Sequence, residues 1–381
     1  MNQELRVIIS GGGTGGHIFP AISIANAIRE LQPEARILFV GALGRMEMQR
    51  VPQAGYDIKG LPIRGFFRPL WKLQNAGVAL DYLRSKRMAK KILREFQPQV
   101  AVGVGGYASS AALGAANSLG IPTLLQEQNS YAGLANKKLA KKASRICVAY
   151  EGMERFFPKK KLILTGNPVR QQLLNATVTR EEALRSFGLE PGKKTILLVG
   201  GSLGARTINE SVLQHLDDIA SSGMQFIWQT GKYYHADILS RLSSLPATLS
   251  NLVVTDFIAD MAAAYRAADL VISRAGASSI SEFCLIGKPV ILVPSPNVAE
   301  DHQTKNAMAL VNRQAALCVK DAEAPRKLIP LAIATCGDNG QLNSLAANVQ
   351  KMALPDSAAI IAKEVITLAK GHPASPSGRG V

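Results

Sequence analysis

Short runs of apolar residues recur along nearly the whole chain, and longer segments with helical spacing separate them. The runs are rich in valine, isoleucine and leucine, as expected for strands that are buried on both faces. They are RILFV, QVAVGV, TLLQE, TILLVG, QFIWQT, LVVT, LVIS and VILVP. Alternation of such strands with helices predicts an α/β fold in which parallel sheets are covered by helices.

The chain contains one internal repeat. IISGGGTGG near the start and LLVGGSLGA at Leu197 share a strand, two glycines, a small hydroxyl residue and a further glycine. Two doubly wound halves, each opening with a glycine turn, explain the repeat. The stretch LILTGNPVRQQLL predicts a last strand and a turn, which places the boundary near Gly166. The predicted organisation is a first domain 1–165, a second domain 166–345, a helix 346–370 packing back toward the first domain, and a disordered tail 371–381.

Composition and charge narrow the class of protein. Hydrophobic residues make up 47% and charged residues 19%, which is typical of a folded chain. The formal net charge of +16 favours anionic partners such as nucleic acid, anionic lipid or phosphate-bearing substrates. Four scattered cysteines favour a reducing cytosol, and MNQELRVIIS lacks the features of a secretion signal. The uncharged run 96–126 contains two prolines and five glycines, which favours strands, loops and a helix over a membrane span.

Half of the net charge lies in one segment. Residues 64–94 contain nine basic residues and one acidic residue, beside the apolar residues Phe66, Phe67, Leu70, Trp71 and Leu73. This mixture predicts contact with an anionic membrane, mainly within 65–78, while the later part packs as a helix. A basic helix solvated on one face is the alternative. No nucleic-acid partner is predicted, because the charge lies beside apolar residues and no recognised binding motif occurs.

The first glycine turn, in RVIISGGGTGGHIFPA, predicts an anion site, because backbone N–H groups and the helix dipole both favour negative charge. A Walker motif is excluded, since His17 stands where a phosphate-binding lysine would follow Gly16. Gly11, Gly13 and Gly16 fit G-x-G-x-x-G, but the second strand, RILFVG, ends without a ribose-binding carboxylate, which disfavours NAD. A tight turn without a ligand is the alternative.

The second half predicts a nucleotide-sugar site. The turn 200–204 repeats the anion site, and SRAGASSISE places Glu282 one turn into a helix, where a carboxylate can accept hydrogen bonds from ribose hydroxyls. An ordinary first-turn glutamate explains Glu282 equally well. His302, Gln303 and Asn306 follow the strand VILVP and are candidates for binding sugar hydroxyls, or else exposed helix-start residues. No D-x-D sequence or metal-spaced cluster occurs, so no metal or other cofactor is expected.

Eight motifs occur in order from the first strand to about residue 310: GGGTGGHIFPA, GVGGYAS, QEQNSYAGLANK, TGNPVR, GGSLGAR, FIADMAAAY, SRAGASSISE and EDHQTKNA. With them the chain resembles the MurG family of peptidoglycan glycosyltransferases, which transfer N-acetylglucosamine from its UDP derivative to undecaprenyl-diphosphate-linked N-acetylmuramyl pentapeptide. The resemblance implies a GT-B fold, in which two Rossmann-like domains face across a cleft, and inversion at the anomeric carbon. It also implies a peripheral enzyme on the cytoplasmic face of the inner membrane.

The resemblance also implies roles for individual residues. The implied acceptor-binding residues are Gly12, Gly13, Thr14, Gly15, Gly16, Tyr107, Glu127 and Asn129. The implied donor-binding residues are Asn129, Arg170, Gly201, Ser202, Gly204, Ile258, Ser278, Glu282, His302 and Gln303. Among these, the resemblance places Ile258 at the edge of the uracil base. His17 is the implied catalytic residue, near the attacking 4-hydroxyl.

Three questions stay open from the sequence. His17 is either the general base, since histidine titrates near neutral pH, or a hydrogen-bond donor to the acceptor phosphates. Leu203 stands where members of the family often have glutamine. If that position acts through its backbone, donor binding is little changed, whereas a role of the glutamine side chain would mean a lower donor affinity in this chain. The alternatives in function are a glycosyltransferase with another lipid acceptor, such as a diacylglycerol glycolipid synthase, and a UDP-sugar epimerase.

Overall fold

The computed structural model of the protein describes residues 4–65, 74–169, 173, 177–244 and 249–371. The chain forms two compact units. Unit 1 comprises Met1–Val169 and Leu354–Val381, and unit 2 comprises Arg170–Ala353. Within the described ranges, no helix is both long and apolar enough to cross a bilayer.

Unit 1 is built on a parallel sheet. Its strands are β1 (Arg6–Gly11), β2 (Arg36–Ala42), β3 (Asp57–Leu61), β4 (Val100–Gly105), β5 (Thr123–Glu127), β6 (Arg145–Val148) and β7 (Leu162–Leu164). They pair in the order β3-β2-β1-β4-β5-β6-β7. The central strands are apolar without alternation, because helices cover both faces of the sheet.

The helices of the first part of unit 1 are α1 (Gly15–Leu31), α2 (Glu47–Gln53), α3 (Gln74–Phe96), α4 (Tyr107–Ser118) and α5 (Leu134–Leu139), with 3-10 turns at Met153–Arg155 and Lys159–Lys161. Side chains of α3, α4 and α5 build the core on one face of the sheet. Those of α1 build the core on the other face, where Ile18, Ile24 and Ile28 are almost fully buried.

Unit 2 repeats this plan. Its strands are β8 (Thr195–Val199), β9 (Gln225–Gln229), β10 (Leu252–Thr255), β11 (Leu270–Ser273), β12 (Val290–Leu292) and β13 (Leu317–Cys318). They form a parallel sheet in the order β10-β9-β8-β11-β12-β13. The predicted α/β fold with two doubly wound parallel sheets is confirmed, and each of the eight predicted strands is present.

The helices of unit 2 are α6 (Arg180–Ser186), α7 (Arg206–Gln214), α8 (Leu216–Ser221), α9 (His235–Ser243), α10 (Met261–Ala267), α11 (Ala277–Ile286), α12 (His302–Val311), α13 (Ala324–Gly337) and α14 (Asn339–Gln350), with 3-10 turns at Ala299–Asp301 and Asp321–Glu323. The last helix, α15 (Ser357–Lys370), belongs to unit 1 and packs on α1 through Ile361 and Val365. The region 346–370 therefore holds the end of α14, a turn and the whole of α15.

The strand order of each sheet reverses at one place. In unit 1 this place lies between β1 and β4, and in unit 2 it lies between β8 and β11. Ligands of open α/β sheets bind beyond the carboxyl ends of the strands at such a switch point. The two glycine turns follow β1 and β8, so each unit presents its turn at its own switch point.

Candidate functional site

A buried carboxylate holds the glycine turn of unit 1. Gly13 has φ of 87°, and its N–H donates to Glu47 Oε2 at 2.9 Å. The other oxygen, Oε1, accepts from Ala42 N at 3.0 Å, and Glu47 is fully buried. A Cβ on Gly12 would lie 2.1 Å from Glu47 Oε1, so a larger residue at this position would displace the carboxylate from its two N–H partners. The sequence did not single out Glu47, because its position five residues after β2 resembles an ordinary helix start.

Because the N–H of Gly13 is bonded to Glu47, only other N–H groups of the glycine turn can donate to a bound anion. The Gly13 N–H points at a carboxylate, so the anion prediction rests on the following residues. Thr14 O accepts from His17 N at 3.1 Å and from Ile18 N at 3.2 Å. The N–H groups of Gly15 and Gly16, which begin α1, have no acceptor one turn earlier and are the donors that a helix start offers to an anion.

His17 lies in the first turn of α1 with its ring against the end of β4. Nδ1 is 3.1 Å from Gly12 O. Thr14 Oγ1 lies 3.4 Å from the same nitrogen. Because a carbonyl oxygen only accepts, the contact with Gly12 O is a hydrogen bond in the tautomer that carries its proton on Nδ1, and in that tautomer the lone pair of the neutral ring is on Nε2. A Cβ on Gly105 would lie 2.8 Å from Nε2, and one on Gly106 would lie 2.6 Å from Gly12 O. The glycines of GVGGY therefore make room for the imidazole and the glycine turn.

The other predicted acceptor residues of unit 1 divide into two kinds. Tyr107 is the first residue of α4 and is 55% exposed, so it can meet a ligand directly. Glu127 is buried under the loop that follows β5. Its carboxylate accepts from the backbone and side chain of Asn129, from Gly133 N at 3.0 Å and from Asn136 Nδ2 at 2.8 Å. Glu127 thus positions the loop that contains Asn129.

A buried amide network supports the same edge of the sheet. Gln126 Nε2 donates to Asn167 Oδ1 at 3.0 Å, and Asn167 Nδ2 donates to Gln128 O at 3.0 Å. Gln128 Nε2 donates to Val104 O at 2.7 Å and also to Gln126 Oε1. The motifs QEQNS and TGNPVR, 41 residues apart at Gln126 and Asn167, are therefore parts of one network. Sequence spacing gave no sign of it.

In unit 2, the glycine turn borders a pocket of about 790 Å³. Gly201 and Gly204 both have φ of 88°, and a Cβ on Gly204 would lie 2.2 Å from Thr230 O. The pocket lining includes both of these glycines and Gln303. Ser202 is exposed on the turn beside them. Backbone N–H groups and a polar lining of this kind suit a phosphate-bearing ligand.

Gln229, which the sequence did not single out, links the turn to the predicted nucleobase contact. It is the last residue of β9 and is buried. Its Nε2 donates to Gly201 O at 3.0 Å, and its Oε1 accepts from Ile258 N at 3.1 Å. The N–H of Ile258 is therefore bonded within the protein, which leaves its carbonyl as the backbone group for contact with a base.

The predicted ribose partner, Glu282, is buried at the sixth of the ten residues of α11. Glu282 accepts from Tyr265 OH through Oε2 at 3.1 Å, and the Tyr265 ring packs edge-on against Phe283. These contacts fix the carboxylate in the middle of the helix. Ser278, in the first turn of α11, has a buried hydroxyl with no hydrogen-bond partner among the described residues.

The three predicted sugar-binding residues lie on α12 in different environments. His302 and Gln303 begin the helix, and Gln303 Oε1 accepts from Ser295 N at 2.9 Å at the pocket wall. Asn306 is fully buried, and its Nδ2 lies 3.4 Å from Ala275 O. The suggestion that Asn306 binds sugar hydroxyls is therefore wrong, because burial removes its amide from ligand contact.

A partly buried ion pair forms part of the pocket wall. Arg274 binds Asp321, and its Nη2 donates to Thr207 Oγ1 at 3.0 Å. Thr207 Oγ1 donates in turn to Asp321 Oδ1 at 2.5 Å. This cluster fixes the start of α7 next to the loops after β11 and β12. The sequence did not reveal it, because its members come from three distant stretches of the chain.

Six predicted site residues lie outside the described residues. They are Arg170 and the membrane-contact residues Phe66, Phe67, Leu70, Trp71 and Leu73. Within the described part of the chain, no group of three or more His, Cys, Asp or Glu side chains could hold a metal ion.

Family models match both halves of the chain. The glycosyltransferase family 28 N-terminal domain matches residues 7–148, and the glycosyltransferase family 28 C-terminal domain matches residues 195–360. A Bacteroides fragilis protein named UDP-N-acetylglucosamine–N-acetylmuramyl-(pentapeptide) pyrophosphoryl-undecaprenol N-acetylglucosamine transferase is 66% identical over 370 residues, which cover 97% of either chain.

Two solved structures resemble the fold. Acinetobacter baumannii MurG superposes with a TM-score of 0.74 at 26% identity, covering 95% of this chain and 99% of that one. The UDP-GlcNAc 2-epimerase of Neisseria meningitidis, crystallised with UDP-GlcNAc, gives a TM-score of 0.64 at 15% identity and covers 96% and 100%. The second likeness concerns the fold alone.

Proposed function

This chain belongs to glycosyltransferase family 28 and to its MurG members, and on that premise we propose that it converts lipid I to lipid II in peptidoglycan synthesis. It transfers N-acetylglucosamine from UDP-N-acetylglucosamine to undecaprenyl-diphosphate-linked N-acetylmuramyl pentapeptide. The observation that carries this function is the identity of 66% to a transferase of that name over 97% of the chain. The 15% identity to an epimerase gives no comparable support to the epimerase alternative.

The reaction is a displacement at the anomeric carbon of the donor. The 4-hydroxyl oxygen of the acceptor forms a bond to that carbon, the bond to the diphosphate oxygen breaks, and the electron pair leaves with UDP. Negative charge grows on the departing diphosphate, which the turn 200–204 and the start of α11 would stabilise through backbone N–H groups. We place the donor in the pocket of unit 2, with Glu282 at the ribose and Gln303 at the sugar.

His17 is the general base in this proposal. In the tautomer in which Nδ1 donates to Gly12 O, the lone pair of the neutral imidazole is on Nε2, which is the form that accepts the proton of the 4-hydroxyl. The acceptor diphosphate lies on Gly15 and Gly16, the two residues that directly precede His17 in the first turn of α1. The competing role is donation of a hydrogen bond to the acceptor phosphates.

We further propose that the protein works on the cytoplasmic face of the inner membrane as a peripheral enzyme. Support comes from the basic segment 64–94 and from the lipid anchor of the proposed acceptor. Pelleting with anionic vesicles at low and high salt, compared with retention on DNA, tests this proposal. Salt-sensitive pelleting without DNA retention is expected. Retention on DNA alone would contradict it.

The decisive experiment for the reaction is transfer of radiolabelled N-acetylglucosamine from the UDP donor to the muramyl pentapeptide lipid. Parallel reactions contain a chelator or a diacylglycerol acceptor. Labelled disaccharide lipid is expected with the muramyl acceptor, also in the presence of chelator. Transfer only to diacylglycerol would show that the acceptor is a different lipid. Sugar isomerisation without transfer would show that the protein is an epimerase.

A further inference from the structure

We propose that the loop 43–46, between β2 and α2, binds the acceptor where its diphosphate joins its prenyl chain. The proposal rests on the proposed function, because it takes the acceptor to be a polyprenyl diphosphate. The loop has the sequence Leu-Gly-Arg-Met and matches none of the motifs of the sequence analysis.

One carboxylate holds the loop beside the glycine turn. Glu47 accepts from Ala42 N with one oxygen and from Gly13 N with the other, at 3.0 and 2.9 Å. The loop begins immediately after Ala42 and ends immediately before Glu47. Both of its ends are therefore fixed next to the turn whose following N–H groups are the predicted phosphate donors.

The loop exposes two apolar side chains and one cation. Leu43 is 54% exposed and Met46 is 44% exposed, and Arg45 between them is exposed too. Leu43 also rests on β3, where a Cβ on Gly60 would lie 2.3 Å from Leu43 Cδ2. In the described ranges, no acidic side chain forms an ion pair with Arg45.

The chemistry of a prenyl diphosphate matches this arrangement. Single exposed apolar residues are ordinary, but here two of them flank an arginine next to an anion site. A guanidinium can donate two parallel hydrogen bonds to the oxygens of a phosphate. Burial of the leucine and methionine side chains under an isoprene unit removes apolar surface from water, which favours binding. Arg45 therefore binds the lipid-side phosphate, and Leu43 and Met46 contact the first isoprene units.

Binding of two probes tests the loop without catalysis. Geranylgeranyl diphosphate and inorganic pyrophosphate are titrated by calorimetry into the full chain, without vesicles or detergent. The wild type is expected to bind the prenyl probe about tenfold more tightly than pyrophosphate. The double variant Leu43→Ser/Met46→Ser loses most of this ratio and keeps its pyrophosphate affinity. Arg45→Gln weakens both probes severalfold.

Leu31→Ser is the matched control, since Leu31 is 39% exposed at the opposite end of α1. It leaves both affinities unchanged. An unchanged probe ratio in the double variant, or no preference in the wild type, overturns the proposal. If the wild type shows the preference but transfers no sugar, the proposed function fails while the prenyl site stands.

Discussion

Gln225 and Gln229 lie at opposite ends of β9 and use their side-chain amides in the same way. Gln225 accepts from Glu190 N at 2.7 Å and donates to Glu190 O at 2.9 Å. Gln229 accepts from Ile258 N at 3.1 Å and donates to Gly201 O at 3.0 Å. Both side chains are buried, but only Gln229 connects to the glycine turn of the donor pocket.

This pair separates a positioning effect from a loss of stability. Gln229→Leu and Gln225→Leu should each lower the free energy of unfolding by about 1–3 kcal/mol, because each removes the two backbone hydrogen bonds of a buried side-chain amide. Gln229→Leu should also raise the KM for the UDP donor about tenfold and leave the acceptor KM unchanged. Steady-state kinetics with both substrates, beside denaturant unfolding, provide the measurement. Equal donor KM values in the two variants would mean that Gln229 has no specific role in binding the donor.

Glu47→Gln tests the carboxylate under the first glycine turn. An amide offers only one acceptor to the N–H groups of Gly13 and Ala42, and its NH2 group opposes the other donor. We expect the free energy of unfolding to fall by about 1–3 kcal/mol, and the acceptor KM to rise severalfold with an unchanged donor KM. Glu34→Gln, at an exposed glutamate, is the control. A shift of the donor KM alone would contradict this role.

His17→Ala distinguishes the base from the phosphate ligand. Loss of a general base should lower kcat about 10²–10⁴-fold and flatten the acid side of the pH profile of kcat, with little change in the acceptor KM. Loss of a phosphate contact should raise the acceptor KM and leave kcat intact, which would make the base assignment wrong. His215→Gln is the control, since His215 binds Asp218 and Pro325 O in unit 2.

Lys288 should make the free energy of unfolding depend on pH in the alkaline range. Burial lowers the pKa of its ammonium group to about 8, while Nζ donates to Ala268 O at 2.6 Å. Between this pKa and the ordinary value of 10.5, the unfolded chain binds more protons than the folded one, so stability rises with pH. The free energy of unfolding of the wild type relative to Lys288→Met should grow by roughly 3 kcal/mol from pH about 7 to about 10.5.

The same comparison made with Lys351→Met, at an exposed lysine, should show no such trend. Denaturant unfolding at several pH values provides the measurement. A constant difference between the wild type and Lys288→Met would mean that Lys288 keeps an ordinary pKa in the folded protein.

The central strands could be predicted from the sequence because a parallel sheet covered on both faces requires continuous apolar runs. β3, with the sequence DIKGL and alternating burial, lies at the sheet edge and lacks such a run. The glycine turns were recognisable for a similar reason, since Gly13, Gly201 and Gly204 have backbone conformations that favour glycine. Glu47 and Gln229 were missed. Each is a polar residue whose burial and partners depend on tertiary contacts, and local pattern carries no sign of these. Arg274 and Asp321 are 47 residues apart, which hides their pairing in the same way.

The packing of α15 on α1 has a consequence for synthesis on the ribosome. Unit 1 is discontinuous in sequence, and Ile361 and Val365 of its last helix complete a core that Ile18 and Ile24 begin. Domains generally fold as units while the chain emerges. Here the unit translated first is finished last, after all of unit 2 has been made. The nascent chain therefore keeps an apolar surface of α1 uncovered until α15 has been translated.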